Sequence, residues 1–291
     1  MNFKRLKGKK SSLVLSKHAT ESSTVLCRDF KAFARREVIL PEQRESDAVD
    51  FRGLLHRDGS VLTAVTTEQL ENPEPLYVEL GCKLAVGMPF KDIATSDSIL
   101  LKEVPTSAAA TTALRRLQES NVGVLVPKVE LEKAELKNSV AIYTLAEAKA
   151  EIDASGSLQL PGGAGRIALS LDGTESAEDV EYVTKTEAVM ILLNPERTQR
   201  LQASRRIFEE LLKNKSEVPV IHHITFPADA DKDTVVMESG SMVGGLLVDA
   251  LGEGVCIDAP LTTNELRTIS FGLLQVRITS DRYVLRWKVF T

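Results

Sequence analysis

The sequence predicts an α/β barrel, and three observations support this prediction. Eight short β-branched or aliphatic runs recur between residues 84 and 259. Most of them are continuously apolar, as is typical of parallel strands that are buried on both faces. Helical patterns separate several of the runs, and such alternation implies parallel strands joined by right-handed crossovers.

The predicted strands are short and closely spaced. They occupy residues 84–88, 99–104, 123–127, 140–145, 166–171, 188–193, 220–224 and 255–259. The spacing is roughly 22 residues per unit, whereas a typical barrel of ~250 residues implies ~30. Only residues 89–98 separate the first two runs, too few for a full helix. We therefore predict a degenerate TIM-like (β/α)8 barrel with one or two crossover helices missing, and an open doubly wound sheet is the alternative.

Four helices are predicted between these strands. They cover residues 111–120, 176–186, 196–214 and 241–254. The second opens with Ser176 and an acidic first turn, which favours an N-terminal cap. The fourth is rich in small residues and is expected to end at Gly252 or Gly254, where left-handed backbone carries no Cβ penalty.

The chain divides into three parts. We expect residues 1–48 to form a polar lead-in with one short helix, "CRDFKAFARRE". The first ten residues are basic and are followed by Ser and Thr, a composition shared by organelle transit segments and disordered tails. Residues 49–270 form the barrel-like domain, and residues 271–291 begin a linker and continue into a divergent tail.

Composition excludes several classes of function. The chain has 291 residues, of which 43% are hydrophobic and 26% charged, and its net charge is −5. Acidic and basic residues are interspersed, so no basic face for nucleic acid is predicted. No apolar run approaches the roughly 18 residues of a membrane span. The three cysteines form no Cys-x-x-Cys pair, which argues against a disulfide framework or a local zinc site.

Three residues are candidates for lining a pocket. His222 and His223 lie in "PVIHHITFP" (219–227), near the end of a strand, where barrel enzymes place their chemistry. Neighbouring strand residues point to opposite faces, so the two rings cannot bind one metal. Lys91 lies in a polar loop and is either a phosphate ligand or a solvated lysine. Structural roles are the alternative for all three, and no catalytic, cofactor-binding or metal-ligating residue is predicted.

Several longer stretches resemble a known family. They are "VDFRGLLHRDGSVL" (49–62), "KLAVGMPFKDIATSDSILLKEVP" (83–105), "PVIHHITFP" (219–227), "GGLLVDALGEGVCIDAP" (244–260) and "FGLLQ" (271–275). Their residues and their order along the chain resemble those of 4-hydroxy-3-methylbut-2-enyl diphosphate synthase of the three-domain type, found in plastids and some bacteria. The resemblance covers residues 28–275, so residues 1–27 are expected to be an extension outside the family pattern.

The resemblance implies a function for the whole family enzyme. In that family a first barrel binds the substrate, a barrel-like domain is inserted after it, and a C-terminal domain holds a 4Fe-4S cluster through three cysteines and a glutamate. The enzyme reduces 2-C-methyl-D-erythritol 2,4-cyclodiphosphate to 4-hydroxy-3-methylbut-2-enyl diphosphate in non-mevalonate isoprenoid biosynthesis. Ferredoxin commonly supplies the electrons, and a homodimer is expected. A location in the chloroplast stroma is implied, with the cytoplasm as alternative.

The match falls on the inserted middle domain, and the departures from the family pattern define three hypotheses. The tail "VRITSDRYVLRWKVFT" contains no cysteine, and Cys27, Cys82 and Cys256 do not match the cluster ligands. We therefore expect a fragment, truncated at both ends, that binds no cluster and is inactive alone. It would space the catalytic domains of the synthase. The alternatives are a stand-alone scaffold or interaction protein, and an independent enzyme using His222 or His223 with Lys91.

Overall fold

The fold is a closed barrel of eight parallel strands, which excludes the open sheet. The computed structural model describes the backbone of residues 38–288 and the side chains of residues 38–275. The barrel strands are β1 (Ser60–Val65), β4 (Ser98–Leu101), β5 (Gly123–Pro127), β6 (Val140–Thr144), β7 (Arg166–Leu171), β8 (Ala188–Leu193), β9 (Val220–Thr225) and β10 (Gly254–Asp258). Strand β1 pairs with both β4 and β10 and thereby closes the barrel. The predicted helix "CRDFKAFARRE" lies outside the described residues.

Every crossover between the barrel strands contains an α-helix, so the expected loss of one or two helices does not occur. The helices are α1 (Thr67–Glu71), α2 (Pro73–Glu79), α3 (Ala108–Glu119), α4 (Lys128–Lys133), α5 (Leu145–Ser155), α6 (Ala177–Glu181), α7 (Arg200–Lys213), α8 (Lys232–Ser239), α9 (Gly245–Val248) and α10 (Thr263–Lys288). The close spacing is accommodated by short helices, because α4 has six residues and α6 has five. Helix α6 begins at the capping box of Ser176 and Asp179.

The first predicted strand, 84–88, does not belong to the barrel. Its residues form an antiparallel hairpin outside it, made of β2 (Lys83–Ala85) and β3 (Met88–Phe90). Val86 and Gly87 have φ angles of 52° and 71°, so the chain reverses between the two strands. The first barrel strand is instead β1, whose apolar residues are buried on both faces.

Apolar side chains fill the barrel interior. Leu62, Leu125 and Met190 lie in one buried cluster with Phe51 and Leu54, which come from the segment before β1. That segment closes the N-terminal end of the barrel, because it joins β1 at the residue where the strand begins. The interior is therefore a packed core and not a channel, as in other barrels of this size.

A second apolar cluster lies between the barrel and the helices that follow β9 and β10. Val61, Ile224 and Val255 contact residues of this helical layer, among them Val235 and Leu266. No helix in the described part of the chain is long and apolar enough to cross a membrane. The predicted domain boundary at residue 271 falls inside α10, and the three-part division of the chain stays a prediction.

The small-residue helix ends earlier than the sequence suggests. A π-helical turn, Gly240–Gly244, joins α8 to α9, which ends at Val248. Gly252 follows with a φ angle of 110°, and a Cβ on it would stand 2.4 Å from His222 Nε2. The glycine is therefore required for the close approach to His222 and does not terminate the helix.

Candidate functional site

The two neighbouring histidines lie on opposite faces of β9. His222 is fully buried against the helices, where its Nε2 is 2.8 Å from the Leu251 carbonyl oxygen and its ring centroid is 5.9 Å from that of Phe208. His223 is partly buried and is paired in register with Cys256, which belongs to the barrel interior. The two rings therefore cannot act on one ligand.

Both histidines are neutral at physiological pH. Burial lowers the pKa of His222 to about 4, although the Leu251 carbonyl opposes this effect. Burial also lowers the pKa of His223 to about 4, and here the charge of Asp258 opposes it. Neither ring is poised near neutrality, where a general acid or base is most effective.

Stability is expected to decrease as the pH falls from about 6.5 to about 4. In this window the unfolded chain takes up protons on His222 and His223, whereas the folded chain does not, so protonation favours unfolding. Urea unfolding at pH 7.0, 5.5 and 4.5 measures the effect. NMR titration of the two imidazoles with a pKa above 6 would contradict it.

Lys91 lies at the other end of the barrel. Its Nζ donates to the Gly53 and Asn121 carbonyl oxygens at 2.7 and 3.2 Å and is 3.1 Å from Asp97 Oδ1. Asp97 directly precedes β4, so this cluster belongs to the N-terminal ends of the strands. The structure therefore does not bring Lys91 together with His222 or His223, which the hypothesis of an independent enzyme requires. None of the three lines the cleft described next.

A cleft of about 490 Å³ lies at the C-terminal ends of β1, β4 and β10. Within it, Lys102 Nζ is 2.9 Å from Asp258 Oδ2. Sequence reasoning did not select this pair, although each residue ends a buried apolar run in "ILLKEV" and "VCIDA". The carboxyl ends of neighbouring parallel strands meet at one edge of the barrel. Applying this rule to the residues that end each predicted strand would have selected Lys102 and Asp258. The pair is self-neutralising, and the neighbouring carboxylate in the cleft, Glu103, accepts a hydrogen bond of 2.8 Å from Thr67 Oγ1 at an exposed position.

A buried arginine of α7 packs against the C-terminal parts of β8 and β9. Arg200 is 1% exposed and donates to the His223 carbonyl oxygen at 2.8 Å and to Asn194 Oδ1 at 2.9 Å. Burial lowers the pKa of Arg200 to about 10, with a smaller effect from the charge of Arg197. The guanidinium still carries its charge at neutral pH and ties α7 to the ends of two strands, which is a structural role.

The described residues do not fit an iron–sulfur cluster. Cys256 lies in the barrel interior, whereas Cys82 follows α2 outside the barrel. Burial raises the pKa of the Cys82 thiol to about 11 and raises that of Cys256 further, so both are neutral thiols at pH 7. Within residues 38–275, no three His, Cys, Asp or Glu side chains are grouped to hold a metal ion. Cys27 lies outside the described residues.

Comparison with known proteins identifies the relatives of this chain. It is 42% identical over 267 residues to the chloroplastic, ferredoxin-type 4-hydroxy-3-methylbut-2-en-1-yl diphosphate synthase of Arabidopsis thaliana. It is 43% identical over 268 residues to the chloroplastic synthase of Oryza sativa subsp. japonica. Both matches cover 88% of this chain. The chain is homologous to a part of this synthase.

The homology confirms the family that the sequence motifs suggest and limits its extent. The chain spans about a third of the length of the relatives, because each plant match covers 35% of the relative. The flavodoxin-type synthase of Protochlamydia amoebophila is 29% identical over 248 residues, covering 85% of this chain and 36% of the relative.

Two further comparisons add nothing to this assignment. No protein-family model matches the chain. A solved chain of Rhizobium etli pyruvate carboxylase is 13% identical with a TM-score of 0.34, covering 85% of this chain and 32% of that one, and a likeness this low carries no argument.

Proposed function

We propose that this chain is the non-catalytic barrel of a ferredoxin-dependent hydroxymethylbutenyl diphosphate synthase. The whole enzyme would reduce 2-C-methyl-D-erythritol 2,4-cyclodiphosphate in non-mevalonate isoprenoid biosynthesis, with a 4Fe-4S cluster and with ferredoxin as electron donor. The observation that carries the proposal is the 42–43% identity to two plant synthases through 88% of this chain. Both relatives are named chloroplastic, in agreement with a plastid location.

A spacer role agrees with the packing of the barrel. The interior is filled by residues such as Leu125 and Met190, and Phe51 closes the N-terminal end. His222, Arg200 and Lys91 all make structural hydrogen bonds. The barrel would orient the substrate-binding and cluster-binding parts of the synthase, and dimerisation of the whole enzyme belongs to the same proposal.

A chimeric enzyme tests this proposal. Residues 28–275 of this chain replace the matching segment of the rice synthase, and turnover of the cyclodiphosphate is measured with reduced ferredoxin. We expect turnover within about tenfold of the parent, because a spacer contributes little to the barrier of the chemical step. The isolated chain should show none, and a rice synthase that lacks the segment serves as control. A soluble chimera with a full complement of cluster but no turnover would refute the proposal.

A further inference from the structure

The hairpin β2–β3 carries an unusual number of exposed apolar side chains. We call the hairpin patch the exposed side chains of Val86 and Phe90 on the hairpin, of Val78 before it and of Ile93 after it. Val86 at the tip and Ile93 after the second strand are 103% and 88% exposed. Clustered exposed apolar residues mark interaction surfaces more often than scattered ones do.

Only one face of the hairpin is anchored to the barrel. Pro89 is buried, and its carbonyl oxygen accepts a hydrogen bond of 2.6 Å from Ser120 Oγ. The register pairs Ala85 with Met88 and Lys83 with Phe90, so these four side chains share the opposite face. Ala85 and Phe90 are exposed there. A two-stranded sheet is only marginally stable in water, so an uncovered apolar face is unfavourable for it.

The tip of the hairpin places a β-branched residue, Val86, in a strained backbone conformation. Val86 has a φ angle of 52° and Gly87 one of 71°, as in the two-residue turn that favours Asn-Gly. A β-branched residue is a genuine outlier at positive φ. Neither turn chemistry nor solubility accounts for a fully exposed valine here. A partner that buries its side chain does account for it.

The hairpin patch lies beside the helix that leaves the barrel. Arg267 of α10 donates through Nη1 to the Ala94 carbonyl oxygen at 2.7 Å, next to Ile93. Farther along α10, the Leu274 side chain packs against Gly59, the residue just before β1. Its Cδ2 would be 3.2 Å from a Cβ placed on that glycine. The segment that precedes β1 also enters at this end. In the synthases, the chain that continues from this segment therefore starts at the end of the barrel that carries the hairpin patch.

The charges around the hairpin are one ion pair at its base and the Glu74 carboxylate beside its tip, whose Oε1 is 3.3 Å from where a Cβ on Gly87 would stand. Lys83 Nζ is 2.8 Å from Asp92 Oδ2, so the charges at the base of the hairpin neutralise each other. About two thirds of each plant relative lies outside the matched segment, since the match covers 35% of it. That polypeptide supplies a covering surface in the same molecule.

We propose that the hairpin patch docks against an apolar surface elsewhere in the same synthase polypeptide. This proposal rests on the proposed function, since it needs the remainder of the enzyme. It assigns the strained valine and the uncovered sheet face to an interface within the molecule.

Amide hydrogen exchange in the isolated chain and in the rice chimera tests the proposal. Amides of residues 83–93 should exchange at least ~10-fold more slowly in the chimera, because docking suppresses local opening. Amides of α8, which carries the exposed Met237, should exchange equally in both. Equal exchange at residues 83–93 would overturn the proposal.

A double variant, Val86→Asn with Ile93→Ser, removes the apolar tip without disturbing the barrel. Asparagine suits the turn, and both side chains are exposed, so the isolated chain should fold as before. In the chimera the variant should abolish the added protection. The matched control, Val129→Ser with Leu212→Ser, changes two exposed residues on separate helices and should keep it.

The remaining outcomes separate this proposal from its premise. In the isolated chain, the protection of residues 83–93 is also measured as a function of protein concentration, with and without Val86→Asn with Ile93→Ser. Protection that rises with concentration and that this variant removes would contradict docking within one polypeptide and would indicate that two copies pair through the hairpin. An active chimera with an unprotected hairpin refutes only the docking. A cluster-loaded but inactive chimera with a protected hairpin refutes only the proposed function.

Discussion

Replacing Lys91 with methionine is expected to lower the free energy of unfolding by about 3–5 kcal/mol, because it leaves a buried charge without its partner. Asp97 is 4% exposed, and its Oδ1 is 3.1 Å from Lys91 Nζ. The same ammonium group donates to the Gly53 and Asn121 carbonyl oxygens, which lose a donor in the variant. Urea unfolding at pH 8 measures the loss.

The loss should depend on pH. Burial raises the pKa of Asp97 in the folded chain, and Lys91 opposes this increase. Without Lys91 the folded pKa rises further, so the folded chain binds the proton more tightly than the unfolded chain does. The stability of Lys91→Met therefore falls as the pH rises from the pKa of Asp97 in the unfolded chain to its higher pKa in the folded variant. The loss of stability relative to the parent chain should be smaller at pH 5 than at pH 8.

Lys83→Met is the matched control for Lys91→Met. Lys83 also forms an ion pair, with Asp92 at 2.8 Å, but its side chain is 75% exposed. Exposed pairs contribute about 0–1 kcal/mol, so this variant should be nearly neutral. Equal losses for the two variants would show that Lys91 has no special structural role. That result would favour the other role considered for Lys91, that of a phosphate ligand.

Replacing Asp47 with alanine is expected to cost a similar amount, about 3–5 kcal/mol. Its carboxylate is 2.6 and 2.9 Å from the two terminal nitrogens of Arg166, and both side chains are at most 5% exposed. The guanidinium also donates to the Glu42 carbonyl oxygen and stacks 4.4 Å from the Phe51 ring. The variant would leave this cation buried at the closed end of the barrel.

The pH dependence of the Asp47 contribution has the opposite sign. The hydrogen bond from Arg166 holds the pKa of Asp47 below its ordinary value of 3.8. Its contribution is therefore fully present above pH 3.8 and is lost as the pH falls through the lower folded value. Glu187→Ala serves as control, because the Arg44–Glu187 pair is exposed and should contribute little. An Asp47→Ala loss no larger than that of the control would contradict the prediction.

Local patterns in the sequence were sufficient to predict most of the barrel. Runs 123–127, 166–171 and 188–193 coincide with strands β5, β7 and β8, because strands buried on both faces need uninterrupted apolar residues. The run 84–88 misled, since Leu84, Ala85 and Val86 are exposed on a hairpin. The sequence alone does not distinguish an apolar residue buried in a barrel from one exposed on a hairpin.

The candidate site shows the limit of reasoning from spacing. Strand alternation was enough to predict that His222 and His223 face opposite sides, because that depends on adjacent residues alone. It was not enough to place Lys91, whose partners Gly53 and Asn121 are 38 and 30 residues away along the chain. Lys102 and Asp258 likewise meet only because β4 and β10 both flank β1.

The strand-and-helix alternation and the relationship to the synthases follow from the order of residues along the chain. Tertiary structure alone decided which charges are buried and which apolar residues remain uncovered. Arg166 and Asp47 are 119 positions apart and meet only when the barrel closes. Burial, and with it the energy of an ion pair or an apolar face, depends on such long-range packing, which no local pattern records.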